Sequence, residues 1–160
     1  MHPHSATSSD IARYLSSNDI WLDLKVTDKR GLFDAIGRHL EREHGLSHDL
    51  VVASLSRREL AGSTAVGEGV AIPHARISGL DRILVAYARL ASPIRFNAPD
   101  GEPVTHVLVL LVPNPAVDEH LKILAEAAHL FSDRQFREQL AASADPDATM
   151  QLFSTWTKGV

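Results

Sequence analysis

From Val104 to Val112 the chain is apolar everywhere except Thr105 and His106. A strand with one wet face alternates polar and apolar residues, whereas this one offers almost nothing to water. It predicts a strand buried on both faces, and so a sheet covered by helices on each side. The uninterrupted part, Val107 to Val112, ends at Pro113. That is far short of the roughly 18 apolar residues of a membrane span, so no membrane insertion is expected.

The flanking segments carry helical periodicity. Residues 11 to 16 read as a short helix, and Ile20, Leu22 and Leu24 alternate as a strand. Thr27 or Asp28 is placed to cap a helix with the stripe Leu32, Phe33, Ile36 and Leu40, stopped near Gly45. Ser47 opens another, with Leu50, Val51 and Leu55 inward and Arg57, Arg58 and Glu59 at its end. Ile83 to Leu90 reads as a strand continued to Phe96, and Asn97 to Pro103 as a turn. Three helices follow: Pro115 to Phe131 with Leu121, Leu124, Ala128 and Phe131 inward, one from Ser132 or Asp133 with Phe136 and Leu140, and one capped by Asp145 with Pro146 first, carrying Met150, Phe153 and Trp156. The fold class is α/β: a single layered domain with a mixed central β-sheet flanked by helices. The 160 residues suit one domain. Met1–Asp10 is expected to be a flexible tail, with no role for its His2 and His4, and residues 11–157 the domain.

Composition excludes several chemistries. Without cysteine there is no thiolate metal site, disulfide or thiol nucleophile. Sixteen Lys and Arg against twenty Asp and Glu leave a net charge of −4, which speaks against nucleic-acid binding. No secretion signal core is visible at the start, so a cytoplasmic setting is expected. His39, His44 and His48 resemble a metal cluster, but Gly45 breaks the helix that would align them, and no metal or cofactor is expected. His106 reads as a hydrogen-bonded core residue, and His120 and His129 fall on opposite sides of one helix.

Chemistry concentrates elsewhere. In GSTAVGEGVAIPHAR, Pro73 stiffens the exit from a strand just before His74. A neutral imidazole held there exposes one lone-pair nitrogen if the other donates to a fixed acceptor. Attack on phosphorus would then give a phosphohistidine. Arg58 offers a guanidinium to its charge, Ser63 and Thr64 offer hydroxyls, and His120 offers a donor from a helix's first turn. Each residue alone has an ordinary structural reading. The glycine-rich run has neither the Lys-Ser/Thr of a P-loop nor the dinucleotide spacing.

Taken together, RELAGSTAVGEGVAIPHARI, PIRFNAPDGEPVTHVLVLLVP and EHLKILAEAAHLFSD resemble enzyme IIA of the fructose/mannitol type in the bacterial phosphoenolpyruvate-dependent phosphotransferase system, with the nitrogen-regulatory branch nearest. The resemblance runs from about Ile11 to Phe153 and implies the mannitol/fructose-type IIA fold. It implies that His74 is the phosphoryl acceptor, with His120 stabilising the phosphoryl group, Arg58 its charge, and Ser63 and Thr64 binding phosphate. The implied donor is a histidine phosphocarrier protein. The output is regulatory, through phosphorylation-dependent protein binding, or transport, through a separate IIB domain, while a binding module that is not phosphorylated is a third reading. Ala61, Ala65 and Ala75 depart from the pattern, standing where leucine, glycine and glycine are common.

Overall fold

The computed structural model describes residues 11–156, so the N-terminal segment with His2 and His4 lies outside the described residues. Helix α1 (Ile11–Tyr14) and a 3₁₀ turn (Ser17–Asp19) lead into β1 (Ile20–Leu24). Helices α2 (Lys29–His44) and α3 (His48–Leu60) follow, then the short strands β2 (Ala65–Gly67), β3 (Val70–Ala71) and β4 (His74–Ile77). Two long strands, β5 (Leu84–Ile94) and β6 (Val104–Pro113), precede α4 (Asp118–Phe131), α5 (Arg134–Ala142) and α6 (Pro146–Thr155).

The strands form one six-stranded mixed sheet in the order β1-β5-β6-β3-β2, with β4 also paired to β6. Parallel pairs join β1 to β5 and β6 to both β3 and β4, whereas β5–β6 and β2–β3 are antiparallel. β6 is central, and its two faces go to two cores. Val107, Val109 and Leu111 pack with Leu32, Ile36, Leu40, Val51 and Leu55 of α2 and α3. Leu108, Leu110 and Val112 pack with Ile123, Phe131, Phe136 and Phe153 of α4 to α6. The apolar run therefore does what its composition requires.

Local signals set the helix limits. Asp28 caps α2 by accepting from Gly31 N at 2.8 Å, and Gly45 ends it at φ 70°. Ser47 caps α3, Asp133 caps α5, and Asp145 caps α6 ahead of Pro146. Three details differ from the periodic reading. Leu50 is 40% exposed, because it lies off the face of α3 on which Val51 and Leu55 are buried. Helix α4 begins at Asp118 rather than Pro115. Its buried stripe is Ile123, Ala127, Leu130 and Phe131; Ala128 is exposed and Leu124 half-buried. Leu121 is exposed too, lining a cleft instead of the core.

The background histidines have local partners. His39 and His44 each place Nε2 within 3.0 Å of the buried Asp19 carboxylate, while Trp21 Nε1 donates to His39 Nδ1 at 3.0 Å. His48 reaches instead to Asp34 and Asp49. Among the described residues no group of three or more His, Asp or Glu side chains is arranged to hold a metal ion. His106 Nδ1 and the Tyr87 hydroxyl are hydrogen-bonded at 2.7 Å inside the core. Among the described residues no helix is long and apolar enough to cross a membrane.

Candidate phosphoryl-acceptor site

His74 opens β4, opposite Leu110 of β6. Its position is set by main-chain bonds on either side of Pro73: Ile72 N donates to Thr64 O, and Leu110 N to Pro73 O, each at 3.0 Å. The imidazole Nδ1 lies 2.8 Å from Ile72 O. A carbonyl can only accept, so Nδ1 carries the proton and Nε2 keeps the lone pair. Arg58 Nε donates to that Nε2 at 3.2 Å.

Burial, above all, pushes the His74 pKa below its ordinary 6.5. The Ile72 carbonyl opposes this, the Arg58 cation reinforces it, and the Glu59 charge opposes it. A neutral ring with an available nitrogen is the form that can attack phosphorus.

Arg58 comes from the last turn of α3. Its second anchor is the Gly62 carbonyl, which accepts from Nη1 at 2.8 Å. Gly62 is at φ 155°, and the β2–β3 turn places Gly67, Glu68 and Gly69 at φ 97°, 58° and 77°. Positive φ at both central residues of that turn, Glu68 and Gly69, matches the I′ pattern, which favours glycine. Ala61, Ala65 and Ala75 take ordinary backbone conformations, so the missing leucine and glycines leave this loop path intact.

His74 faces a cleft of about 390 Å³ between α3 and α4. Arg57, Arg58, Arg76 and His120 line it together with apolar residues such as Leu110 and Leu124. His120 is in the first turn of α4, where its Nδ1 accepts Val117 N at 3.1 Å. Its proton is therefore on Nε2, ready to donate. Three of the sequence-derived site residues, His74, Arg58 and His120, thus share one cleft.

Ser63 and Thr64 do not line that cleft. Ser63 Oγ donates to Phe96 O at 2.5 Å, and Thr64 Oγ1 to Glu59 Oε1 at 2.7 Å. Thr64 is buried, and its amide also bonds Glu59. In this structure both hydroxyls anchor the segment leading to His74.

A family model described as phosphoenolpyruvate-dependent sugar phosphotransferase system, EIIA 2, matches residues 13–156. The chain belongs to this EIIA 2 family. A nitrogen regulatory protein of Bradyrhizobium diazoefficiens is 40% identical over 131 residues, 82% of this chain and 86% of that protein. The crystal structure of nitrogen regulatory protein IIA-Ntr from Neisseria meningitidis superposes with a TM-score of 0.86 at 40% identity, covering 91% of this chain and 100% of that one. IIA mannitol from Escherichia coli superposes with a TM-score of 0.72 at 19% identity, over 87% and 98%, a likeness of fold. Membership of the EIIA 2 family supports a phosphocarrier role for the chain.

Three features of this candidate site are absent from the sequence reading. Arg76 follows His74 by two residues in β4, so strand alternation alone puts it on the same face. Glu59 pairs with Lys29 at 2.8 Å rather than with Arg58. Nothing in the local sequence announces that pair, because Lys29 starts a different helix. The Ile72 carbonyl is a main-chain group, visible only once the chain path is known.

Proposed function

We propose that His74 Nε2 accepts a phosphoryl group from a phosphorylated histidine phosphocarrier protein. The lone pair on Nε2 forms the new N–P bond as the donor's N–P bond breaks, and the released pair stays on the donor imidazole. Each ring keeps the proton on its other nitrogen, so no external base is needed. Arg58 shifts from the ring nitrogen to the arriving phosphoryl oxygens, and His120 Nε2–H donates to them. Catalysis here is positioning and charge stabilisation.

The observation that carries this reading is the bond from His74 Nδ1 to the Ile72 carbonyl, with Arg58 Nε on the opposite nitrogen. It leaves one nucleophilic atom, already beside a cation. The output we infer is regulatory, through protein partners that distinguish the phosphorylated from the free cleft, in the cytoplasm. Adding a dianion among three arginines neutralises most of the cleft's positive charge, a sufficient basis for such selection. The 40% identity with nitrogen regulatory proteins supports this over transport.

The test is incubation with phosphoenolpyruvate, enzyme I and the phosphocarrier. Wild type gains an acid-labile, base-stable phosphoryl group and His74→Ala gains none. Labelling of the alanine variant would move the acceptor elsewhere, and no labelling of wild type would favour a binding module without phosphorylation. Rapid onward transfer to a fructose- or mannitol-type IIB would favour transport.

A further inference from the structure

Glu59 is a carboxylate with a side chain only 7% exposed, yet it does not touch the ring it neighbours. It accepts the Lys29 ammonium at 2.8 Å, the Thr64 hydroxyl at 2.7 Å and the Thr64 amide at 3.1 Å. Thr64 in turn receives Ile72 N on its carbonyl, and Ile72 O holds the proton of His74 Nδ1. Four links thus run from the first residue of α2 to the acceptor ring. Lys29 also sits 4.8 Å from the centre of the Phe96 ring, whose carbonyl takes the Ser63 hydroxyl. It lines a separate depression between α2 and α3, away from the His74 cleft.

We propose that Lys29 and Glu59 are positioning residues for phosphoryl acceptance at His74. The carboxylate fixes the Thr64–Ile72 segment that orients the ring, and the ammonium cancels the carboxylate's charge so that a phosphoryl dianion can arrive beside it. This rests on His74 being the acceptor. An unpaired carboxylate would repel the incoming group, whereas a neutral amide without Lys29 would keep the geometry and lose the repulsion. The charged and titratable groups around His74 are Arg57, Arg58 and Glu59 from α3, Arg76 from β4 and His120 from α4. Arg58 and Glu59 act on its protonation in opposite directions.

The experiment compares Lys29→Met, Lys29→Arg, Glu59→Gln and the double variant Lys29→Met/Glu59→Gln in the full chain. Two readouts are used: steady-state phosphoryl transfer from the phosphorylated phosphocarrier, and NMR titration of the His74 ring in the unphosphorylated protein. Lys29→Met is expected to lower kcat about tenfold, the equivalent of one pKa unit of charge interaction, with KM for the donor unchanged because Lys29 is off the docking cleft. His74 should titrate higher in Lys29→Met and lower in Glu59→Gln, with Lys29→Arg behaving as wild type.

Should Lys29→Met fail to fold, the double variant decides. It removes both charges while the amide oxygen still accepts from Thr64, so it should transfer at close to the wild-type rate and titrate as wild type, and a tenfold loss of rate in it would overturn the proposal. Unchanged kcat and titration in Lys29→Met would overturn the proposal. So would a loss of rate in both single variants without opposite shifts in titration, which is the signature of a purely structural pair. The titration needs no phosphorylation, so a wild type that cannot be labelled would sink the acceptor reading without being mistaken for this result.

Discussion

Arg58 Nε and His74 Nε2 are hydrogen-bonded at 3.2 Å, so the nitrogen proposed to attack is occupied, at rest, by the cation proposed to stabilise the product. The guanidinium keeps its hold on Gly62 O through Nη1 and needs to move only its Nε end. Arg58→Ala is therefore expected to slow phosphorylation on the order of 100-fold. Lys should recover little of this, because an ammonium cannot hold the loop carbonyl and the phosphoryl group as a fork. Stopped-flow transfer from the phosphorylated carrier would measure both.

The ring's depressed pKa gives a pH signature. His74 charges only below its ordinary 6.5, because burial and Arg58 disfavour the cation. The neutral, nucleophilic form should persist as pH falls through that value. Nitrogen-15 NMR should show the Nδ1–H tautomer at neutral pH and a midpoint under 6.5. A midpoint above it would contradict the buried, Arg58-capped arrangement.

His120→Ala removes a donor from the cleft but not from the core. The variant should fold and accept phosphoryl groups on the order of 100-fold more slowly. The lost bond to Val117 N should also loosen the first turn of α4. Hydrogen exchange at Val117, compared with the transfer rate, would separate the two effects.

A second histidine should make the fold acid-sensitive. Burial first, then Arg137 and Arg89, lower the His106 pKa from 6.5 to about 4. Unfolded chains bind that proton near 6.5 and folded ones only near 4, so between these values the unfolded state carries more protons. Stability should thus fall with pH across that window by about 3 kcal/mol from this group. His106→Gln, which leaves Tyr87 a partner, should flatten the dependence in urea melts at pH 4 to 7.

The contact between α2 and α3 reaches the site through packing. A Cβ added at Gly37 would stand 2.8 Å from His48 Cδ2, 2.9 Å from Val52 Cγ2 and 3.2 Å from His48 O. Gly37→Ala should force the helices apart and cost about 1–3 kcal/mol. Because α3 carries Arg58, transfer should slow as well. A thermal melt with unchanged Tm would refute the close approach.

The elements legible in the sequence were those with a local cause. Asp28, Gly45, Ser47 and Asp145 end helices by their own chemistry, and the run through Val107 to Val112 demands cover on both faces. Leu121 was misread because helical spacing shows that a residue lies on an apolar stripe, not whether that stripe meets a sheet or a cleft. His74, Arg58 and His120, grouped by motif spacing, line one cleft. Ser63 and Thr64 were singled out as hydroxyls, but the direction of a hydroxyl depends on partners such as Phe96 and Glu59, which the chain brings together only after folding.

The proton on His74 is held by the backbone of Ile72, not by a side chain. No single codon encodes that partner, so no single replacement can delete it. The ring's tautomer is inherited with the route the chain takes, and mutational surveys will register it where that route bends or is tied down, at Pro73 and at Thr64 with its carboxylate partner.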